Sequence, residues 1–206
     1  MPDKEQRMNY SEQFLDEIRN ICQGMETGEI EKVVSQMVGL RENAGRIFFL
    51  GVGGGAAHAS HAVNDFRKIC QIECYAPTDN VPELTARIND EGWENAFRSW
   101  LEGSHLNNRD MLFVFSVGGG DAGKKISLPI IRALEYGKKV GAKICGVVST
   151  LGGYTAEVAD VCVKVPSSPA GGITAQTEAF QSVILHLLIS HPNLRKNPMK
   201  WEQIQK

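Results

Sequence analysis

Residues 46–65 read RIFFLGVGGGAAHASHAVND, and this stretch decides the fold. Ile47, Phe48, Phe49 and Leu50 form an apolar run suited to a strand buried on both faces, and Gly51, Gly53, Gly54 and Gly55 let the backbone turn sharply with its N–H groups exposed. The small and polar residues that follow predict a helix over about 56–68. Its first turn would aim unpaired donors and the positive end of its dipole at an anion. The stretch therefore predicts an anion-binding crevice at the carboxyl end of a buried strand.

Upstream, Asn9 and Glu12 form a capping-box pattern, and Phe14, Ile18, Ile21 and Met25 recur at helical spacing. A helix over 10–23 is expected, then a second carrying Ile30, Val33, Val34, Met37 and Val38. Downstream, a short strand is expected at 72–75. A polar segment with Asp79, Thr85, Asn89 and Asp90 follows, and then a helix with Trp93, Phe97, Trp100 and Leu101. The apolar run at 111–115 leads into a second glycine turn, Ser116-Val117-Gly118-Gly119-Gly120-Asp121, and a helix over about 124–136. Strands at 143–148 and 161–165, a short helix at 154–159 and a long helix at 174–190 complete the alternation.

Strands alternating with helices predict an α/β domain whose parallel five-stranded sheet is covered on both faces, flavodoxin-like or Rossmann-like in class. The expected division is a helical hairpin over 1–45 that serves oligomerisation, one α/β domain over 46–190 and a polar tail over 191–206.

A net charge of −2 over 206 residues, without a basic stripe interleaved with aromatics, gives no reason to expect nucleic acid. No apolar run is long enough to cross a bilayer. The cysteines Cys22, Cys70, Cys74, Cys145 and Cys162 are odd in number and lack a CxxC pair, which fits buried thiols in a reducing compartment. Cytoplasm is the expected location.

Two glycine turns in one sheet point to a shared crevice, because ligands of open α/β sheets bind beyond the carboxyl ends of the strands. Gly51 to Ala56 also satisfies a loose GxGxxA dinucleotide pattern with Glu73 downstream, against which stand the preceding hairpin and the second glycine turn. His61 and Asp65 lie four apart on one helical face, and Glu178, Ser182 and His186 share a face of the last helix. Two imidazoles and two carboxylates suit zinc or another transition ion. The same groups suit proton transfer, a carboxylate taking a proton from one carbon while a histidine protonates a neighbouring oxygen. Glu178 and His186 are separated by about 12 Å along a helix axis, so sharing one ion requires leaning, unwinding or separate copies of the site. His58, His105 and His191 read as surface or cap residues.

These residues resemble the sugar isomerase (SIS) domain family, and within it the phosphoheptose isomerases. The resemblance rests on the GxGG turn at 51–54, the His61 and Asp65 pair and the LTAxxND segment at 84–90 with Gly92 and Trp93. Ser116, the Gly152-Gly153 turn and the helix bearing Glu178 and His186 complete it. It implies a homotetramer with sites built between subunits. It also implies conversion of sedoheptulose 7-phosphate to D-glycero-D-manno-heptose 7-phosphate through an enediol, for heptose and surface polysaccharide synthesis.

By that resemblance Asp65 and His186 are catalytic, and His61, Asp65, Glu178 and His186 are the zinc ligands, with Glu178 in place of a usual glutamine. The implied substrate contacts are Val52, Gly53, Gly54, Gly55, Asn89, Asp90, Ser116, Val117, Gly118, Asp121 and Glu178. The first loop departs from the family's GNGGS and the second from its STSGNS, so several hydroxyl donors are replaced. Asp121 would repel an anion, and Lys124 or Lys125 is placed to compensate. The alternative is a non-catalytic SIS protein that binds a sugar phosphate or assists a replication initiator.

Overall fold

The computed structural model describes residues 8–167 and 172–204. The outer ends of the hairpin and tail segments, and residues 168–171, lie outside the described residues. The strands are β1 (Ile47–Gly51), β2 (Cys74–Tyr75), β3 (Met111–Phe115), β4 (Lys143–Ser149) and β5 (Val161–Val165). All pair in parallel, in the order β2-β1-β3-β4-β5. This is the flavodoxin-like doubly wound order, in which ligands gather where the order reverses between β1 and β3.

The apolar strands are dealt alternately to two cores. Phe49, Phe113 and Phe115 face one side with Ile47, Met111 and Val147, while Phe48, Leu50, Leu112, Val114 and Ile144 face the other. On the first side pack α2 (Thr27–Glu42), α3 (Gly54–Asp65) and α8 (Ile173–Ser190), with α1 (Tyr10–Gln23) contributing Ile18 and Ile21. On the second pack α4 (Val81–Glu91), α5 (Ala96–Gly103), α6 (Leu128–Val140) and α7 (Gly153–Val158). The capping box that opens α1 is formed: the Asn9 side chain accepts from Glu12 N, and the Glu12 side chain accepts from Asn9 N.

Several boundaries differ from the sequence reading. Helix α3 begins inside the glycines, because Gly53 turns the chain in one residue, and it stops at Asp65, where a π-helical turn, Phe66–Cys70, takes over. The segment read as polar loop is α4, started by the Asn80 side chain, which accepts from Glu83 N at 3.3 Å, and by Pro82 in the first turn. Its inner stripe is only Leu84 and Ile88, both partly buried, so its periodicity is faint.

Helix α6 starts at Leu128 rather than near residue 124. Asp121 and Ile126 exchange main-chain hydrogen bonds of 3.0 and 2.9 Å and close a tight hairpin first. The polar tail is anchored at its start: Leu194 is buried, Lys196 N and Asn197 N donate to Ile69 O, and Arg41 donates to the carbonyls of Asn193 and Leu194. It also carries a short helix, α9 (Lys200–Ile204).

Candidate active site

The first glycine turn is dictated by close packing. A Cβ on Gly55 would fall 2.3 Å from the Phe115 carbonyl oxygen, so only glycine lets α3 cross the end of β3 this closely. That crossing lays α3 over the carboxyl ends of β1 and β3. His58, His61 and Asp65 then recur at i, i+3 and i+7, along one face.

On that face, His61 Nε2 lies 3.0 Å from Asp65 Oδ2, and Asn64 Nδ2 donates to Asp65 Oδ1 at 2.8 Å. Asp65 is almost wholly buried and is the last residue before the π-helical turn. Such turns recur at functional sites because they shift side-chain register locally. From α8, the His186 ring meets the His61 ring at 5.1 Å between centroids and 74° between planes. His186 Nδ1 is 2.8 Å from Ser182 O. A carbonyl only accepts, so Nδ1 carries the proton and Nε2 keeps its lone pair for the crevice.

One ligand atom from each of His61, Asp65 and His186 lies within 4.8 Å of the others. Two imidazole nitrogens and a carboxylate oxygen are donors zinc takes at about 2.0–2.2 Å, and a small inward movement of each closes that distance. The donor set therefore fits the metal implied by the resemblance. Glu178 is not in this group. Its carboxyl atoms lie 2.6 Å from where a Cβ on Gly54 would stand, at the first turn of α3.

His58, read from the sequence as a surface or cap residue, belongs to this constellation. It is half-buried, and its ring centroid is 6.0 Å from that of Phe115. Burial pushes its imidazole pKa down, the neighbouring Glu178 carboxylate pushes it back up, and His61 and His186 add to the lowering. The i, i+3, i+7 spacing with His61 and Asp65 was the signal available for it.

The second glycine turn is bound up with scaffold. Ser116 is buried and its Oγ accepts from Gly119 N at 3.1 Å. Gly119 O accepts from Thr155 N at 2.9 Å and Thr155 Oγ1 at 2.7 Å, and Gly120 O accepts from Tyr154 N at 2.9 Å. Asp121 faces its own loop: Lys124 N donates to Oδ1 at 3.0 Å and Lys124 Nζ lies 3.0 Å from Oδ2. These contacts hold the Asp121 carboxyl below its ordinary pKa, the Lys124 main-chain bond first. Asn89 and Asp90 are exposed on α4, and Asn89 Nδ2 donates to Asp90 Oδ1 at 2.8 Å; neither is in the metal-ligand group. Val52, at the tip of the first turn, is exposed.

The SIS domain family description matches residues 13–149. The chain belongs to the SIS domain family. Among curated relatives, the phosphoheptose isomerase of Aneurinibacillus thermoaerophilus is 30% identical over 164 residues, covering 77% of each chain. That of Rhodospirillum rubrum is 28% identical over 187 residues, covering 84% of this chain and 94% of its own. These place the SIS domain in the phosphoheptose isomerase group. The solved phosphoheptose isomerase of Neisseria gonorrhoeae has the same fold, with a TM-score of 0.74 at 23% identity over 87% of this chain and 94% of that one. That of Francisella tularensis superimposes with a TM-score of 0.73 at 20% identity, over 88% of this chain and 97% of that one.

Proposed function

We propose that this SIS domain is an aldose-ketose isomerase that converts sedoheptulose 7-phosphate to D-glycero-D-manno-heptose 7-phosphate through an enediol, supplying heptose for surface polysaccharide. The observation that carries the reading is the meeting of Asp65, His61 and His186 at the carboxyl end of the sheet, in a chain whose relatives are named phosphoheptose isomerases. Isomerisation moves one proton from C1 to C2 and another between the oxygens on those carbons. Asp65 takes the C1 proton of the open-chain ketose, and the electrons of that bond form the C1–C2 double bond. His186, with its crevice-side Nε2, passes the proton between the two oxygens. Asp65 then returns a proton to C2, giving the aldose.

His61, Asp65 and His186 would also be the residues to hold a zinc ion; when bound it would polarise the substrate oxygens, taking the place of the proton transfer that His186 Nε2 carries out when free. Val52 to Gly55 and Ser116 to Gly118 form the walls along which the substrate lies. Assignment of Asn89, Asp90 and Asp121 to substrate rests on the resemblance alone.

The working form is a homo-oligomer, a tetramer by the resemblance. On the described residues His61 and His186 stand open to solvent, while Val183 and Leu187 beside His186 and Tyr10 and Leu15 on α1 expose apolar surface that a second copy would cover. Such cover would also exclude water from the site. No helix among the described residues is long and apolar enough to cross a membrane, and the five cysteines are free thiols, both compatible with a cytoplasmic enzyme. The test is incubation with sedoheptulose 7-phosphate and analysis by NMR: a manno-configured aldose 7-phosphate is expected, and no aldose at any enzyme concentration would refute the reading.

A further inference from the structure

The end of the sheet opposite the crevice carries a cavity of its own. It has a volume of about 470 Å³, within the range of small-molecule sites, and opens between the last turns of α2 and the amino ends of β3 and β4. The five residues of β3, about 16 Å of strand, separate it from the glycine turns. Its walls are chemically one-sided: Arg109 and Lys143 are cationic, Gln36, Asn43 and Asn108 are carboxamides, and no carboxylate is among the lining residues. Lys143 Nζ gives one of its donors to Asp160 at 3.2 Å and keeps the rest. The negative end of α2 also lies here, but its carbonyls are covered. Gly39 O accepts from Asn43 N at 3.1 Å and Asn43 Nδ2 at 2.8 Å, and Leu40 O accepts from Gly45 N at 2.9 Å.

The backbone that carries Arg109 is held from below. Asp110, 1% exposed, accepts from Arg46 N and Nε at 3.1 Å, from Arg46 Nη2 at 2.7 Å and from Asn107 N at 3.1 Å. Arg109 O stands 2.1 Å from where a Cβ on Gly45 would lie, so the loop is seated against the end of α2. Gly39 has no such packing reason to be glycine. Its backbone is helical, a Cβ there would meet nothing within 4 Å, and glycine weakens a helix, so what it supplies is room in the cavity wall. We propose that this cavity is a second ligand site, separate from the catalytic crevice, for a small phosphorylated polyol. Arg109 and Lys143 take the phosphate oxygens, the guanidinium matching them in pairs. The carboxamides of Gln36, Asn43 and Asn108, which both donate and accept, take the hydroxyl groups. The walls hold no carboxylate or imidazole to move a proton, so the ligand is bound and not converted. The site stands whatever sugar the crevice turns over.

The test is calorimetric titration of the full-length chain with fructose 1,6-bisphosphate, and with fructose as the uncharged control. The bisphosphate should bind and fructose should not. Arg109→Ala removes the paired donors, and Gly39→Leu fills the cavity from the helix side. Arg109 is exposed and Gly39 faces open space, so both variants keep the fold. Each should weaken bisphosphate binding by about tenfold or more, the loss expected for a hydrogen bond to a charged group. Asp65→Asn, in the crevice, should leave this binding within about twofold of the unsubstituted chain. A loss of less than about tenfold in either cavity variant would place the bisphosphate elsewhere and overturn the site. Equal binding of fructose, or no binding of the bisphosphate by the unsubstituted chain at about 10 mM, would overturn it as well.

Discussion

The first glycine turn, residues 51–55, runs from β1 straight into α3, whereas the second, residues 116–121, clasps the turn before α7 and then doubles back through the Asp121–Ile126 bridge before α6 begins. In sequence the two are near repeats. In the fold, the first delivers three titratable side chains to one helical face, and the second spends its carbonyls and its one acidic side chain on the scaffold. A glycine turn becomes a chemical site when the helix follows at once and carries the reactive groups on the face that meets a neighbouring helix. When the helix is delayed, the same composition becomes a clasp.

The sharpest contrast is between the two aspartates. Asp65→Asn and His186→Asn should each lower kcat by about 10³-fold, within the range that loss of a general acid or base produces. Asp121→Asn should stay within about threefold of the unsubstituted rate in the same assay, since its carboxylate serves Lys124. An Asp121 variant as damaged as Asp65→Asn would place chemistry at the second turn and erase the distinction.

The next largest effect is on stability. A Cβ on Gly119 would fall 1.8 Å from Gly152 O at a backbone φ of +69°, while one on Gly118 would meet nothing within 4 Å. Gly119→Ala should therefore cost about 3 kcal/mol or more in urea denaturation, and Gly118→Ala less than about 1 kcal/mol. Equal costs would deny the second turn its role as a clasp.

Smaller effects lie in the core away from the two turns, where the buried thiols report local opening. Burial pushes Cys70, at the end of the π-helical turn after α3, and Cys145, in β4, up to about 12. At pH 8 only about one such thiol in 10⁴ is ionised, so exposed Cys22 should react promptly with iodoacetamide while these two wait for opening. Gly119→Ala should speed labelling of Cys145 more than that of Cys70. Both thiols have raised folded-state pKa values, so the stability they contribute is complete below the ordinary 9.0 and is withdrawn as pH rises toward about 12. Thermal melts between pH 8 and 11 should fall accordingly.

The strands were the most legible part of the sequence, because runs such as MLFVF at 111–115 have no other economical reading in an alternating chain. The pairing of His61 with Asp65 was legible for the same reason, being local and helical. Tertiary facts were hidden. That α8 lays His186 against His61 but Glu178 against Gly54 depends on how two distant helices align, which spacing within each helix does not encode. His58 lay within reach of pattern reading. The start of α6 was obscured because the Asp121–Ile126 bridge uses main-chain atoms, and α4 because only two of its side chains touch the core.

In the proposed reaction Asp65 moves a proton between adjacent carbons of a heptose phosphate while His186 moves one between their oxygens. The most direct measurement is NMR of the aldose formed from sedoheptulose 7-phosphate in deuterated water by the unsubstituted chain and by Asp65→Asn. Deuterium is expected at C2 of the aldose from the unsubstituted chain, and neither product nor exchange with Asp65→Asn. Undiminished product formation or exchange with Asp65→Asn would contradict this reaction.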